Sequence, residues 1–253
     1  MPEHAPKHEH VKVLIRLENV RKTYILGGVP VQALRGINLK VYQGEFVAVM
    51  GPSGSGKSTL MNTLGALDVP TSGKIFIDDR DISQLPESEL AKLRGKKVGF
   101  VFQQFNLIPN LSAIENVALP MVFQGVPEEA RLARAKRLLV SLGLGKRLDH
   151  KPMQMSGGEQ QRVAIARAFA NDPDVILADE PTGNLDSKTG KQIMAFLTDF
   201  HIRENKTIIV VTHDPNIADY AETVVNIKDG EILRDHRAGA RYLWPKDHRV
   251  EKR

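Results

Sequence analysis

The segment Gly51, Pro52, Ser53, Gly54, Ser55, Gly56, Lys57, Ser58, Thr59 constrains the fold of this chain more than any other stretch. Before it, Glu45–Met50 is short and nearly all apolar, as a buried parallel strand should be. After it, Lys57–Leu67 carries apolar residues at helical spacing. Strand, glycine loop, helix is the context in which backbone N–H groups turn inward at a helix start, where an anion is favoured. Lys57 then places a point charge on the β and γ phosphates of a nucleotide, and the Ser58 hydroxyl suits Mg2+. The alternative is a glycine- and serine-rich turn that only caps a helix. The buried strand before and the helix after argue against it.

Apolar patterning organises the rest. Val11–Leu17 alternates as a half-buried strand, a Gly27–Gly28 turn follows, and Val31–Val41 reads as a second strand broken by Gly36, so the opening is antiparallel β structure. Lys74–Ile77 and Lys97–Phe102 read as further strands. From about Asn106 to Lys151 the character changes, with helices expected at Asn116–Phe123 and Glu128–Leu142. The second follows Pro127, opens on two glutamates and turns basic, which suits a helix start and its macrodipole. Helix, strand, helix, strand then resume at Glu159–Ala170, Val175–Ala178, Lys188–Phe200 and Thr207–Val211. Thr223–Ile227 and Glu231–Leu233, joined at Lys228, Asp229 and Gly230, read as a hairpin. The implied domains are a polar tail at 1–10, one α/β domain at 11–236 with a helical lobe at about 104–155, and a basic tail at 237–253.

Two further motifs carry chemistry. The strand Val175–Ala178 ends in Asp179 and Glu180. Asp179 is a candidate to hold Mg2+ through water, and Glu180 to polarise an attacking water beside a γ phosphate. Ser156, Gly157, Gly158, Glu159 and Gln160 precede a helix. A capping box with Ser156 as N-cap and Glu159 at the third position accounts for two of them. It leaves the glycines unexplained, because each costs about 1 kcal/mol relative to Ala in a helix. Close approach of the backbone to a second anion would require them.

Met155 to Ala168, with the Ser156–Gln160 motif at its head, resembles the signature of ATP-binding-cassette ATPases. The family's motifs follow in the family's order, and the similarity covers about Val11 to Leu233. The resemblance implies a P-loop cassette with a mainly parallel core sheet, an N-terminal antiparallel β subdomain and an inserted helical subdomain. It implies ATP and Mg2+ as ligands. Tyr24 falls where an aromatic ring stacks on adenine, and Gln103 where a glutamine reaches Mg2+ and water, with Gln104 as the other candidate. Asn184, Leu185 and Asp186 fall in the loop that passes between protomers, and His213 where a histidine contacts the γ phosphate. Ser156, Gly157, Gly158 and Glu159 would complete the phosphate site of a second copy. Met155 replaces the usual Leu and Glu159 the common Gln, and neither change removes the serine or the glycines.

The stretches Gly99–Pro109 and Glu115–Pro120 are similar to a subgroup of macrolide-export, lipoprotein-release and cell-division ATPases. That subgroup meets an integral-membrane permease through the cleft beside the glutamine loop, which Phe105, Leu107 and Ile108 are expected to line. The chain is then expected on the cytoplasmic face of a membrane, held there by the permease. No apolar run approaches the ~20 residues that span a bilayer, and Met1–His10 has neither signal- nor transit-peptide character. The absence of cysteine excludes disulfides, thiolate metal sites and cysteine nucleophiles. His4, His8, His10 and distant His150 read as surface decoration rather than a metal set. The formal charge of +5 has a large share in the tail after Arg234, where Tyr242, Leu243 and Trp244 interleave. An ATPase on ribosomes or DNA is disfavoured, because such proteins carry paired cassettes or a long coiled coil, and the basic residues lack base-stacking aromatics. A cassette that regulates a membrane partner without transport stays open on sequence alone.

Overall fold

The structure, a computed structural model, describes residues 12–237. His4, His8, His10 and most of both tails lie outside the described residues. In chain order the elements are β1 (Val13–Leu26), β2 (Val29–Tyr42), β3 (Phe46–Met50), α1 (Lys57–Leu64), β4 (Ser72–Ile77), β5 (Arg80–Asp81), α2 (Glu87–Lys97), β6 (Val98–Val101), α3 (Ala113–Val122), α4 (Glu128–Ser141), α5 (Gly157–Ala168), β7 (Val175–Asp179), α6 (Ser187–Glu204), β8 (Thr207–Thr212), α7 (Pro215–Ala218), β9 (Thr223–Lys228) and β10 (Glu231–Arg237).

They form two sheets, ordered β2-β1-β4-β5 and β10-β9-β3-β8-β7-β6. The first is antiparallel throughout. In the second, β9, β3, β8, β7 and β6 run parallel and β10 turns back against β9. This mixed architecture is the α/β cassette that the sequence implies.

Alternation along β3 shows how the layers are glued. Phe46 and Ala48 enter a core shared with Ile165 of α5, Leu197 of α6 and Ile217 of α7. Val47 and Val49 face the other way, onto Leu60 and Leu64 of α1 and onto Ile15 and Leu17 of the antiparallel sheet. A strand buried on both faces must be apolar at every position, and β3 is. Each large side chain so buried contributes about 1.5–3 kcal/mol.

Several boundaries differ from expectation for local reasons. β1 continues to Leu26 because an irregularity between Leu17 and Val20, with Asn19 at φ +48°, absorbs the break in alternation. Gly36 does not break β2; it sits within the strand at φ +104°. α1 stops at Leu64, where Gly65 caps it and Ala66 turns left-handed. Lys97 ends α2 rather than beginning β6, and α2 itself is unexpected: only Leu90 is buried on it, so it lacks an apolar stripe. α6 runs from the Asp186 N-cap to a left-handed Asn205.

Between β6 and α5 lies the helical lobe. Its entry is stitched by Asn116, which is fully buried. The Asn116 side chain accepts the Ile108 N–H at 2.8 Å and donates to the carbonyls of Ile108, Leu111 and Ser112 at 3.0–3.2 Å. Removing the amide strands several dry backbone groups, at about 3 kcal/mol. Asn116→Ala should lower Tm by roughly 6–12 °C, read by calorimetry, while Asn110→Ala on the exposed turn should change it little.

Candidate functional site

The expected site residues lie beyond the carboxyl ends of β3, β8, β7 and β6. Met50, Thr212 and Asp179 end their strands, and the register pairs Met50 with Thr212 and Asp179 with Val211. The glycine loop, His213, Asp179–Glu180 and Gln103 therefore emerge at one edge. That edge is where open parallel sheets bind ligands.

The loop from Gly51 to Gly56 is built against other backbone. A Cβ on Gly56 would lie 2.6 Å from the Ala33 carbonyl oxygen, and φ there is +101°. A Cβ on Gly51 would lie 2.2 Å from the Ile227 carbonyl oxygen. The Gly230 N–H donates to the Ser55 carbonyl at 2.9 Å. Lys57 Nζ donates to the carbonyls of Gly51 and Pro52, both at 2.8 Å. Its charge is thus centred over the loop that opens α1. The Ser55 hydroxyl is buried and has no hydrogen-bond partner among the described residues. Ser53 and Gly54 are exposed on the loop, and Ser58 is exposed in the first turn of α1. A cradle of helix-start N–H groups, one lysine and an orphaned hydroxyl fits a phosphate chain.

Across the edge, Glu180 sits at φ +46°, an uncommon region for a side chain that is not Asn, Asp or Gly. The turn aims its carboxylate at His213, whose Nδ1 lies 2.7 Å from Glu180 Oε1. His213 is exposed at 74% of its side-chain surface, whereas Glu180 is 18% exposed. The histidine covers a carboxylate that is otherwise largely enclosed. Asp179 is half-buried and makes no hydrogen bond or ion pair among the described residues. Burial raises its carboxyl pKa, and the neighbouring Glu180 adds to that, against a smaller opposing pull from Lys57. With the Ser58 hydroxyl and the Gln103 amide it offers hard oxygen donors from separate segments, which fits Mg2+.

Gln103 meets the segment that follows Glu180. Its side chain lies against Gly183 and reaches Asn184 Oδ1 at 3.4 Å, while Asn184 Nδ2 donates back to the Gln103 carbonyl at 2.9 Å. Tyr24 lies on β1, half-buried, with its hydroxyl donating to Asp68 at 2.8 Å and Lys22 Nζ at 5.0 Å from the ring centroid. Burial and Asp68 raise the phenol pKa, so it stays neutral. Asp186 is used locally, as the N-cap of α6 accepting from Lys188 and Thr189.

The signature residues stand apart from the glycine loop. Ser156 and Glu159 form the full capping box at the start of α5. Arg147 Nε also pairs with Glu159 at 2.9 Å and its guanidinium lies 3.0 Å from His150. The N–H of Ser156, with the Arg147 charge, holds the Glu159 carboxyl below its usual range. The box leaves the N–H groups of Gly157 and Gly158 as orphan donors of the helix start. Packing gives Gly158 a further reason that its sequence context does not reveal: a Cβ there would lie 2.5 Å from Thr189 Cγ2. Gly157 borders Phe105 and Leu185 at ordinary contact distance.

Beside the glutamine segment a cleft of about 710 Å3 is lined by Leu67, Arg94, Phe100, Phe102, Phe123 and Arg167, among others. Phe105, Leu107 and Ile108 do not line it. Phe105 packs over Gly157, and Leu107 packs into the lobe core. Sequence reading missed Phe123, which is 79% exposed at the cleft mouth. It closes the helix expected at Asn116–Phe123, and in the structure it is the C-cap of α3.

Comparison with known proteins identifies the family and the fold. A family model described as "ABC transporter" matches residues 34–183. An uncharacterized ABC transporter ATP-binding protein of Thermotoga maritima is 52% identical over 92% of this chain and 99% of its own length. The macrolide export ATP-binding/permease protein MacB of Campylobacter fetus is 51% identical over 88% of this chain, which spans 35% of that longer protein. The cassette MJ0796 of Methanocaldococcus jannaschii is 52% identical over 88% of this chain and 97% of its own length. Its dimeric structure in a post-hydrolysis state, bound to ADP and Pi, superposes with a TM-score of 0.83, covering 89% of this chain and 99% of that one.

Asp179 gives the site a measurable signature. At neutral pH its ionised form is disfavoured by burial and by Glu180, and the neutral amide of Asn carries no such cost. Asp179→Asn should therefore raise the Tm of the nucleotide-free protein while abolishing the extra stabilisation that Mg2+ adds to ATP. Thermal shift with ATP, with and without Mg2+, reads both effects.

Proposed function

This chain belongs to the ABC transporter family, and we propose that it is the ATP-hydrolysing subunit that pairs with a second copy of itself and drives a membrane permease of the macrolide-export or lipoprotein-release type. The observation that carries the reading is the separation of two complementary phosphate-binding elements within one chain. The glycine loop opens α1 against β2 and β9, whereas Ser156, Gly157 and Gly158 open α5 against Phe105, Leu185 and Thr189. Neither helix start closes the other's site. A second copy supplies the missing half to each, so two ATP molecules lie between two chains. The dimeric MJ0796 structures support that arrangement.

Within each site the glycine loop and Lys57 bind the phosphates, while Ser58, Asp179 and Gln103 would hold Mg2+. When bound, the metal neutralises charge on the β and γ phosphates. Glu180 accepts the proton of the attacking water, and His213, now hydrogen-bonded to Glu180, contacts the γ phosphate. Tyr24 offers its ring to adenine. Hydrolysis frees the γ phosphate that both copies grip, and the pair opens.

The cleft lined by Phe100, Phe102 and Phe123, with Arg94 and Arg167 at its polar side, receives the cytoplasmic segment of the permease. Among the described residues no helix is long and apolar enough to cross a membrane. The permease therefore anchors this chain to the cytoplasmic face of the membrane. The MacB proteins join such a cassette to a permease in one chain, which favours the export type.

Glu180→Gln should retain ATP binding, remain dimeric with Mg·ATP on size exclusion, and lose about 10²–10⁴-fold in kcat. Lys57→Ala should stay monomeric with ATP. Normal turnover by Glu180→Gln would overturn the assigned base. Affinity capture of the tagged chain from gently solubilised membranes tests the partner. A permease with few spans and a large extracytoplasmic domain is expected, and a many-span importer or a ribosome would replace that reading.

A further inference from the structure

Gln161 is fully buried in the middle of α5. Its Nε2 donates to the Pro181 carbonyl at 2.6 Å and to the Phe102 carbonyl at 3.4 Å. Turning the amide over would face oxygen with oxygen, so these two acceptors fix its orientation. The Oε1 atom has no hydrogen-bond partner among the described residues. A buried amide with an orphaned acceptor is a poor choice for stability alone, since an apolar side chain of the same size avoids that cost.

Its acceptors explain the choice. Phe102 immediately precedes Gln103, and Pro181 immediately follows Glu180. Gln161 thus spans the two backbone segments that carry the metal-side amide and the hydrolytic carboxylate. It does so from the helix whose first turn presents Ser156, Gly157 and Gly158. A second tether lies further along α5, where the Arg167 guanidinium donates to the carbonyls of Asn106 at 2.5 Å and Phe105 at 3.0 Å. Phe105 in turn packs over Gly157.

We propose that Gln161 is a positioning residue that ties Gln103 and Glu180 of one site to α5, so that engagement of this chain's signature by the partner's ATP is felt at this chain's own hydrolytic groups. The inference rests on the two-copy reading above. Helix α5 has the properties of a mechanical link: it is short, well packed, and attached at its start to one site and at its middle to the other. A displacement of its N-terminus carries Gln161 with it, and the carbonyls of Phe102 and Pro181 follow. Coupling of the two ATP sites in the pair is the consequence.

The test compares wild type with Gln161→Met and Gln161→Leu, which fill the space without a donor. Steady-state turnover across ATP concentration, melting of the nucleotide-free chains, and amide exchange of 102–106 and 180–185 with and without Mg·ATP are measured. The expected result is a loss of about 10–100-fold in kcat, a KM for ATP within about threefold of wild type, and a Hill coefficient reduced toward 1. The protection that Mg·ATP confers on 180–185 should be lost as well. Unchanged kcat and cooperativity would overturn the proposal. So would a fall in Tm of more than about 10 °C with kcat per folded chain retained, which marks a packing role. If the wild-type chain itself shows no turnover, the ATPase reading fails separately, and amide exchange still decides the tether. Nucleotide-dependent protection of 180–185 that is the same in wild type and Gln161→Met would overturn it.

Discussion

The hydrogen bond from the Gly230 N–H to the Ser55 carbonyl, 2.9 Å long, is the contact on which the site depends. The Gly230 carbonyl accepts from the Arg35 N–H at 2.8 Å, so a single residue of the β9–β10 turn joins the glycine loop to β2. The loop cannot relax toward an ordinary helix cap, because the backbone of Ala33 and Ile227 fills the space where side chains would go. A helix start normally satisfies its N–H groups with its own cap. Here α1 has Gly56 as N-cap with no side-chain cap bond, and the donors stay directed into the loop. The antiparallel sheet therefore has a role beyond covering the core. Its second strand is one wall of the mould that keeps the phosphate cradle open.

Strain and charge on the opposite side of the cradle follow the same logic. Glu180 occupies a left-handed conformation that costs about 1–3 kcal/mol for such a residue. Its N–H is locked to the Val211 carbonyl at 2.9 Å, so the register of β7 and β8 extends one residue past the strand and imposes the turn. Asp179 and Glu180 then place adjacent carboxylates in a partly enclosed setting, with the Lys57 charge as the cation that acts on Asp179. The nucleotide-free site carries excess acceptors on one side and excess donors on the other. A phosphate chain with a divalent cation matches both, which makes ligand binding and local stability two views of one imbalance.

Much of this was legible in sequence, and the reasons are specific. β3, β7 and β8 are buried on both faces, so their apolar runs stand out from any background. The motifs that follow them inherit their positions from those strands. Helix α2 was not legible because its contact with the core is narrow, buried Leu90 and half-buried Leu93, among charged residues such as Glu87, Glu89 and Arg94. Asp186 and Glu159 read as ligand-facing residues, yet each also caps a helix, and composition cannot separate the two uses. Gly158 was read as making room for an anion, and it also makes room for Thr189. Gln161 was invisible: a glutamine inside a helical run resembles a solvated residue until its depth is known.

The position of α5 shows why a buried polar group can persist at such a place. A helix packed only through Val163, Ile165 and Ala166 would register its sheet by shape, and apolar packing tolerates small slides at little cost. Hydrogen bonds do not, because geometry a few tenths of an ångström longer already weakens them. The Gln161 amide thus adds directional registry exactly where apolar contact has none, between the helix and the two carbonyls flanking the hydrolytic groups. The capping box at the first turn supplies the same stiffness at the other end. The helix is thus fixed in direction both at its first turn and at Gln161, which is the stiffness that the proposed coupling of two sites requires.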